Sequence, residues 1–235
     1  WLLHSTTPTK SLVMHYHGNA QNLSSHVSFV LWLAKRGFDV LTFDYRGYGK
    51  SQGEPDREGL VKDGKAVLNY VDTVLKPQNL FVLGQSLGGA VAVTSTVQQY
   101  PRNLRAMVLE STFASYRRVA RKKLGSFWLT WLFQYPLSFL VSDSWSPEDY
   151  ISEIKVPLLF IHGDSDPIIP LSEGQALYEA LPDGDREFWK MEGGEHTPAF
   201  LSPKSPYRTK LVRFLCVNTP DDGDCPLEPG AKSGL

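Results

Sequence analysis

Cysteine is nearly absent: there are two in 235 residues, Cys216 and Cys225, on either side of the polar stretch VNTPDDGD. So few exclude a disulfide-stapled scaffold. The pair reads either as one small disulfide loop in an oxidising compartment or as two free thiols. No cluster of His, Cys and acidic residues has metal-ligand spacing, so no metal is expected. An apolar run approaching the roughly 20 residues of a membrane-spanning helix is lacking as well. No signal peptide leads the chain, which starts at Trp1. Its first residues, WLLHST, resemble the end of a strand, and this sets the expectation that residues precede them. Neither sign of charge is in excess: Lys+Arg 24 against Asp+Glu 25 gives a formal net charge of −1. That balance excludes the concentrated basic face needed to hold nucleic acid. RGYGKS at 46–51 ends like a phosphate-binding loop, but Asp44 stands where that motif needs glycine. No cofactor is therefore expected.

What the chain does have is a 42% hydrophobic composition over a length that suits one compact domain. Short apolar runs read as strands: SLVMHYH (11–17), FDVLTF (from 38), LFVLG (80–84), RAMVLE (105–110), PLLFIHG (157–163) and REFWKME (186–192). Between them lie helical patterns over 28–37, 60–75, 89–100, an insert near 114–141, 171–181 and a closing helix about 203–217. Largely apolar strands alternating with helices predict an α/β fold with a mostly parallel central sheet and helices on both faces. The predicted domain spans 1–217, with an insert at about 111–150, and 218–235 reads as a polar, disordered tail.

In FVLGQSLGGAVAV (81–93) an apolar strand runs into Gly84-Gln85-Ser86-Leu87-Gly88 and then a small-residue helix. This is the context of a nucleophile elbow, a turn so tight that side chains two before and two after the serine would collide. A serine needs a base, and the base needs an orienting carboxylate, in the chain order Ser, acid, His. His196, in MEGGEHTPAF just after the last predicted strand, is the histidine in the right place for the base. His162 reads as support for the acid loop; His15 and His17 come too early in the order, and His4 and His26 carry no motif. Asp164 and Asp166 in IHGDSDPIIP, and Glu110 at the end of the preceding strand, are the candidates for the acid. HYHGNAQN supplies a second element. Gly18 permits close backbone approach, so the Asn19 amide can stand beside that of Leu87 as an oxyanion hole.

HGNAQN, DYRGYGKSQGEP, GQSLGGA, HGDSDPIIP and the His196 loop, in that order from residue 15 to about 200, resemble the α/β-hydrolases, and within them the Bem46-like serine hydrolases. The resemblance implies the α/β-hydrolase fold and Ser86 as nucleophile. From the His-Gly-x-x-Asp pattern it implies Asp166 as acid, with His196 as base and the Asn19 and Leu87 amides as oxyanion hole. It also implies a sheet of eight strands, of which this chain would lack the first and part of the second.

The insert corresponds to the lid of such enzymes. Phe127, Trp128, Trp131 and Phe133 are its candidate substrate contacts, and an apolar lid suggests a small-molecule ester with a hydrophobic, lipid-like acyl group. Arg117, Arg118, Arg121, Lys122 and Lys123 precede the aromatics, a pattern that also fits a peripheral membrane surface. The expected chemistry is carboxylic ester cleavage by a Ser-His-Asp acyl-enzyme mechanism. Its rate is expected to fall below about pH 6–7, where a histidine base is protonated. Peptidase or thioesterase chemistry on the same fold, or a non-catalytic binding role, are the alternatives.

Overall fold

A computed structural model describes residues 1–181 and 184–220. Seven strands form one sheet: β1 (Leu2–Leu3), β2 (Ser11–Tyr16), β3 (Asp39–Thr42), β4 (Asn79–Gln85), β5 (Leu104–Glu110), β6 (Leu158–Gly163) and β7 (Arg186–Met191). Their order is β1-β3-β2-β4-β5-β6-β7; β1 pairs antiparallel with β3 and every other pairing is parallel. The expected strand at the chain start is thus present, though only two residues long. The remaining predicted strands match within about two residues at most ends. The third, FDVLTF in the sequence, runs Asp39–Thr42.

The side-chain period of two sends alternate strand residues to opposite layers. Leu12, Met14, Leu80, Val82, Met107, Leu109, Leu158 and Phe160 pack on one face, where α3 (Arg57–Tyr70), α4 (Leu87–Gln98) and α7 (Leu171–Glu179) lie. Val13, Phe81, Leu83, Val108, Leu159 and Ile161 pack on the other, against α2 (Leu31–Ala34) and α8 (Pro206–Val217). The chain leaves β2 for β3 on one side and returns to β4 on the other. The crevice at the carboxyl ends of β2 and β4 is therefore the switch point where open α/β sheets hold ligands.

Three helices depart from the sequence expectation, each for a local reason. The helix predicted over 28–37 is broken into α1 (Leu23–His26), a 3₁₀ turn at Val27–Phe29 and α2. Ser28 Oγ donates to the Ser25 carbonyl at 3.0 Å, competing with the helical ladder. α3 begins before residue 60 because Asp56 caps it, accepting from Gly59 N–H at 2.9 Å. The long helix predicted over 114–141 is interrupted. α5 (Tyr116–Gly125) stops at Gly125-Ser126, a 3₁₀ turn covers Trp131–Phe133, and α6 (Gln134–Ser138) follows.

This insert is tied down at its base. Glu173 accepts from the Ala114 N–H at 3.2 Å and from Arg118 Nε at 3.1 Å, while Arg118 also reaches Glu148 at 2.9 Å. Asp143 accepts from Ser115 Oγ at 2.8 Å and Ser146 Oγ at 2.7 Å. Its far end stands in solvent, with Trp128 78%, Leu132 72% and Leu140 82% exposed. Cys216 is buried on α8; Cys225 and most of the predicted tail lie outside the described residues. Among the described residues no helix is long and apolar enough to cross a membrane.

Candidate active site

Ser86 joins β4 to α4 with φ 52° and ψ −121°, a conformation that costs a non-glycine residue on the order of 1–3 kcal/mol. The surrounding glycines are sterically required. A Cβ at Gly84 would come within 2.6 Å of Gly89 Cα, and one at Gly88 would strike the Tyr16 and His17 carbonyls of β2 and its loop. The elbow is held from behind by hydrogen bonds from Ser86 N–H to the Glu110 carbonyl at 2.9 Å and from Thr112 Oγ1 to the Ser86 carbonyl at 2.8 Å.

His196 and Ser86 line one small cavity of about 60 Å³, together with Gly18, Asn19 and Gln85. Asp166 Oδ2 lies 2.7 Å from His196 Nδ1. The same carboxylate's Oδ1 accepts from the Ile168 and Ile169 N–H groups at 2.8 and 2.9 Å. Burial pushes the Asp166 carboxyl upward, but these hydrogen bonds, led by that to His196, outweigh it and hold its pKa below the ordinary value. An ionised Asp166 accepting from Nδ1–H leaves Nε2 as the free lone pair of a neutral imidazole.

The other two candidate acids take different places. Asp164 accepts from Gly193 N–H at 2.8 Å, tying the loop after β6 to the turn after β7. Glu110 is fully buried, and both its carboxylate oxygens are bonded to groups other than the imidazole. One of its oxygens accepts from Gln85 Nε2 at 2.6 Å and the other from Ala199 N–H at 2.8 Å. Gln85 in turn meets His15 Nε2 at 2.9 Å. Burial pushes the Glu110 carboxyl up to about 7 and the His15 imidazole down to about 3. With Ser111 Oγ accepting from Thr197 N–H at 3.0 Å, Glu110 pins the segment just after His196 to the end of β5. His162 Nε2 donates to the Ile169 carbonyl of the acid loop at 2.9 Å.

Asn19 and Leu87 both line the larger cleft that opens over Ser86. The Leu87 amide is in the first turn of α4, where N–H groups have no intrahelical acceptor. Asn19 sits in a loop whose next two residues, Ala20 and Gln21, have φ of 68° and 56°. Tyr48 OH donates to Asn19 Oδ1 at 2.5 Å, and Tyr45 OH donates to the His17 carbonyl at 3.0 Å. The two tyrosines of DYRGYG thus brace this loop.

Residues 7–153 match the family model described as serine aminopeptidase, S33. The protein YfhR of Escherichia coli strain K12 is 36% identical, over 92% of this chain and 75% of its own length. Protein bem46 of Schizosaccharomyces pombe is 28% identical, over 93% of this chain and 73% of its own. The chain belongs to the α/β-hydrolase superfamily and is Bem46-like. An esterase from Pyrococcus furiosus superposes on this hydrolase with a TM-score of 0.68 and 25% identity, covering 88% of this chain and 81% of that one. A monoacylglycerol lipase from Paleococcus ferrophilus shares the fold, with a TM-score of 0.69.

The hydrolase's main cleft has a volume of about 600 Å³, within the range of small-molecule sites. Leu60, Leu87, Phe113, Val119, Ile168 and Ile169 supply its apolar wall. The four lid aromatics singled out in the sequence do not line it. Phe127, Trp128, Trp131 and Phe133 are 52–78% exposed at the far end of the insert, beyond the break at Gly125. The residues of the insert that do reach the cleft, Phe113, Tyr116 and Val119, come from its first ten positions, closest to β5. Their signal in the sequence was position directly after a strand's carboxyl end. Ile168 and Ile169 lie within the HGDSDPIIP motif, where only the acids were singled out, and Arg57 carried no motif.

Proposed function

We propose that this hydrolase cleaves carboxylic esters with an apolar acyl group through Ser86, His196 and Asp166. The observation that carries this reading is the 2.7 Å Asp166–His196 contact set beside a strained Ser86 in a shared cavity. His196 takes the Ser86 proton as Oγ attacks the ester carbonyl, and Asp166 stabilises the imidazolium. The Asn19 and Leu87 amides receive the oxyanion, one such donor being worth about 2.7–4 kcal/mol in other hydrolases. His196 then returns its proton to the leaving alkoxide, and water, deprotonated by the same base, releases the acid.

The apolar wall of the cleft supports an acyl chain over a polar group. The family description raises peptide bonds as the second reading. An aminopeptidase needs a carboxylate free to hold the substrate's amine. Asp56, the one acidic residue lining the cleft among the described residues, is already engaged as the cap of α3.

The distal lid supports contact with an anionic lipid surface. Arg117 and Arg118 at the base of α5 are paired with Asp143, Glu148 and Glu173, but Lys122 and Lys123 in its last turn make no ion pair among the described residues. Next to them stand the exposed Trp128, Leu132 and Leu140. Interfacial segments combine these two features.

The test is hydrolysis of p-nitrophenyl esters from acetate to palmitate, with amino-acid p-nitroanilides alongside. Turnover of medium or long chains that Ser86→Ala abolishes is the expected result. Preference for acetate removes the acyl-chain reading, and Ser86-dependent cleavage of anilides alone replaces ester by amide.

A further inference from the structure

The apolar cleft over Ser86 contains one cation among the described residues, Arg57, the first residue of α3. Its guanidinium carbon lies 4.2 Å from the centre of the Tyr116 ring. One of its nitrogens donates to the Ser142 carbonyl of the insert. No carboxylate of the described residues lies within ion-pair distance of it. Other arginines nearby differ: Arg46 is paired with Asp63 at 2.7 Å, and Arg118 with both Glu148 and Glu173. Asp56 is next in sequence and shares the cleft, but its side chain is turned to the Gly59 N–H.

A guanidinium offers five donors in a planar fork. Its place over the Tyr116 ring restrains it, and the Ser142 carbonyl uses one donor, which leaves the others unmatched at the wall of a largely apolar space. A partly buried cation without a counter-charge is the arrangement that an anionic ligand completes, and Arg is the residue best shaped to grip carboxylate or phosphate oxygens in pairs.

We infer that Arg57 selects amphiphilic esters bearing an anionic group, a carboxylate or a phosphate, which its guanidinium binds while the hydrocarbon lies along Leu60, Phe113, Val119 and Ile169. This rests on the reading of Ser86 as the nucleophile of an esterase. It adds that the favoured substrate is charged, so that an otherwise identical neutral ester is the poorer one.

Two matched pairs test it. p-Nitrophenyl octanoate is compared with the mono-p-nitrophenyl ester of suberic acid, which has the same chain length and a terminal carboxylate. Monooleoylglycerol is compared with its glycerol-phosphate counterpart. In at least one pair the anionic ester is expected to have the higher kcat/KM. Arg57→Gln is expected to lower that anionic-to-neutral ratio by about 10- to 100-fold, as for loss of a charged hydrogen bond, chiefly through KM. Arg57→Lys restores part of it. The pair that responds tells whether the anion is an acyl-side carboxylate or an alcohol-side phosphate.

A ratio unchanged by Arg57→Gln in both pairs, with turnover still dependent on Ser86, overturns the inference and leaves the esterase reading standing. A binding measurement separates the two in the other direction. Calorimetry on Ser86→Ala protein is expected to show octanoate binding that Ser86→Ala/Arg57→Gln loses, whatever bond the enzyme cleaves. Absence of octanoate binding to Ser86→Ala overturns the inference. Circular dichroism of each variant establishes that it is folded.

Discussion

At the residue scale, two carboxylates near the same histidine are pushed in opposite directions. Asp166 is held ionised by its hydrogen bonds, whereas Glu110, buried, is pushed up to about 7. Asp166→Asn keeps the shape but exchanges an acceptor for an amide, leaving His196 in the wrong tautomer. kcat/KM at pH 7 is expected to fall about 10³–10⁴-fold, the scale of the same exchange in a serine protease. Glu110 has the opposite signature, in stability. An acid whose folded pKa lies above its unfolded value binds more protons when folded. Between the ordinary carboxylate range and about 7, stability therefore falls as pH rises, and the loss is complete above about 7. A rise from the ordinary value to about 7 is worth on the order of 3 kcal/mol. Urea unfolding at intervals from pH 4.5 to 8 is expected to show the wild type losing stability relative to Glu110→Gln as pH rises, the lowered His15 contributing equally to both. Parallel profiles would mean that Glu110 is ionised throughout.

At the element scale, the elbow depends on α4 lying against the loop after β2. Gly88 is the contact point, with the Tyr16 and His17 carbonyl oxygens occupying the space of any side chain. Both obstacles are backbone and neither can swing aside. Gly88→Ala is expected to cost about 2–3 kcal/mol, at the upper end for overpacking, read as a lowered urea midpoint with unchanged slope. It would also shift the Leu87 amide, so the folded fraction should lose activity as well. Wild-type stability and turnover in this variant would show that β2 and α4 separate more easily than the structure implies. The lid is built differently. Its base is fastened by Glu173, Arg118 and Asp143, and its far end holds a row of exposed apolar side chains.

At the scale of the whole molecule, the near-zero net charge conceals a polar arrangement: Lys122 and Lys123, in no ion pair among the described residues, stand beside exposed aromatics on an insert that borders the mouth of the cleft. Vesicles containing anionic phospholipid are expected to bind the wild type, and neutral ones to bind it more weakly. Lys122→Gln and Lys123→Gln should each weaken that binding about fivefold, the equivalent of roughly 1 kcal/mol per basic residue at such a surface. Co-sedimentation measures it. Equal binding to neutral and anionic vesicles would assign the contact to the apolar residues alone. Dimerisation without any vesicle binding would assign the exposed face to a second copy of the chain.

Local pattern by itself determined the layered α/β architecture, because the strand runs of 80–84, 105–110 and 157–163 are short, apolar and bounded by turn residues. It also singled out Ser86, since the elbow's glycines are a steric requirement written within five positions, and His196, since chain order and strand ends narrow six histidines to one. Between Asp164, Asp166 and Glu110 the residues alone did not decide. The three are near one another in space, and only the folded loops show that Asp164 turns to Gly193, Glu110 to Ala199 and Asp166 to His196. The cleft was equally hidden. Arg57, Phe113, Tyr116, Ile168 and Ile169 come from three separate segments, and the sheet's switch point brings them together. The placement of the lid aromatics was hidden for the same reason. Composition showed that they were apolar, but where Gly125 broke the helix decided that they point to solvent while the turn before them lines the cleft. Steric and periodic constraints act over a few residues and can be read along the chain. Which carboxylate meets an imidazole, and which side chains enclose a substrate, depend on contacts between distant segments that exist only once the core has packed.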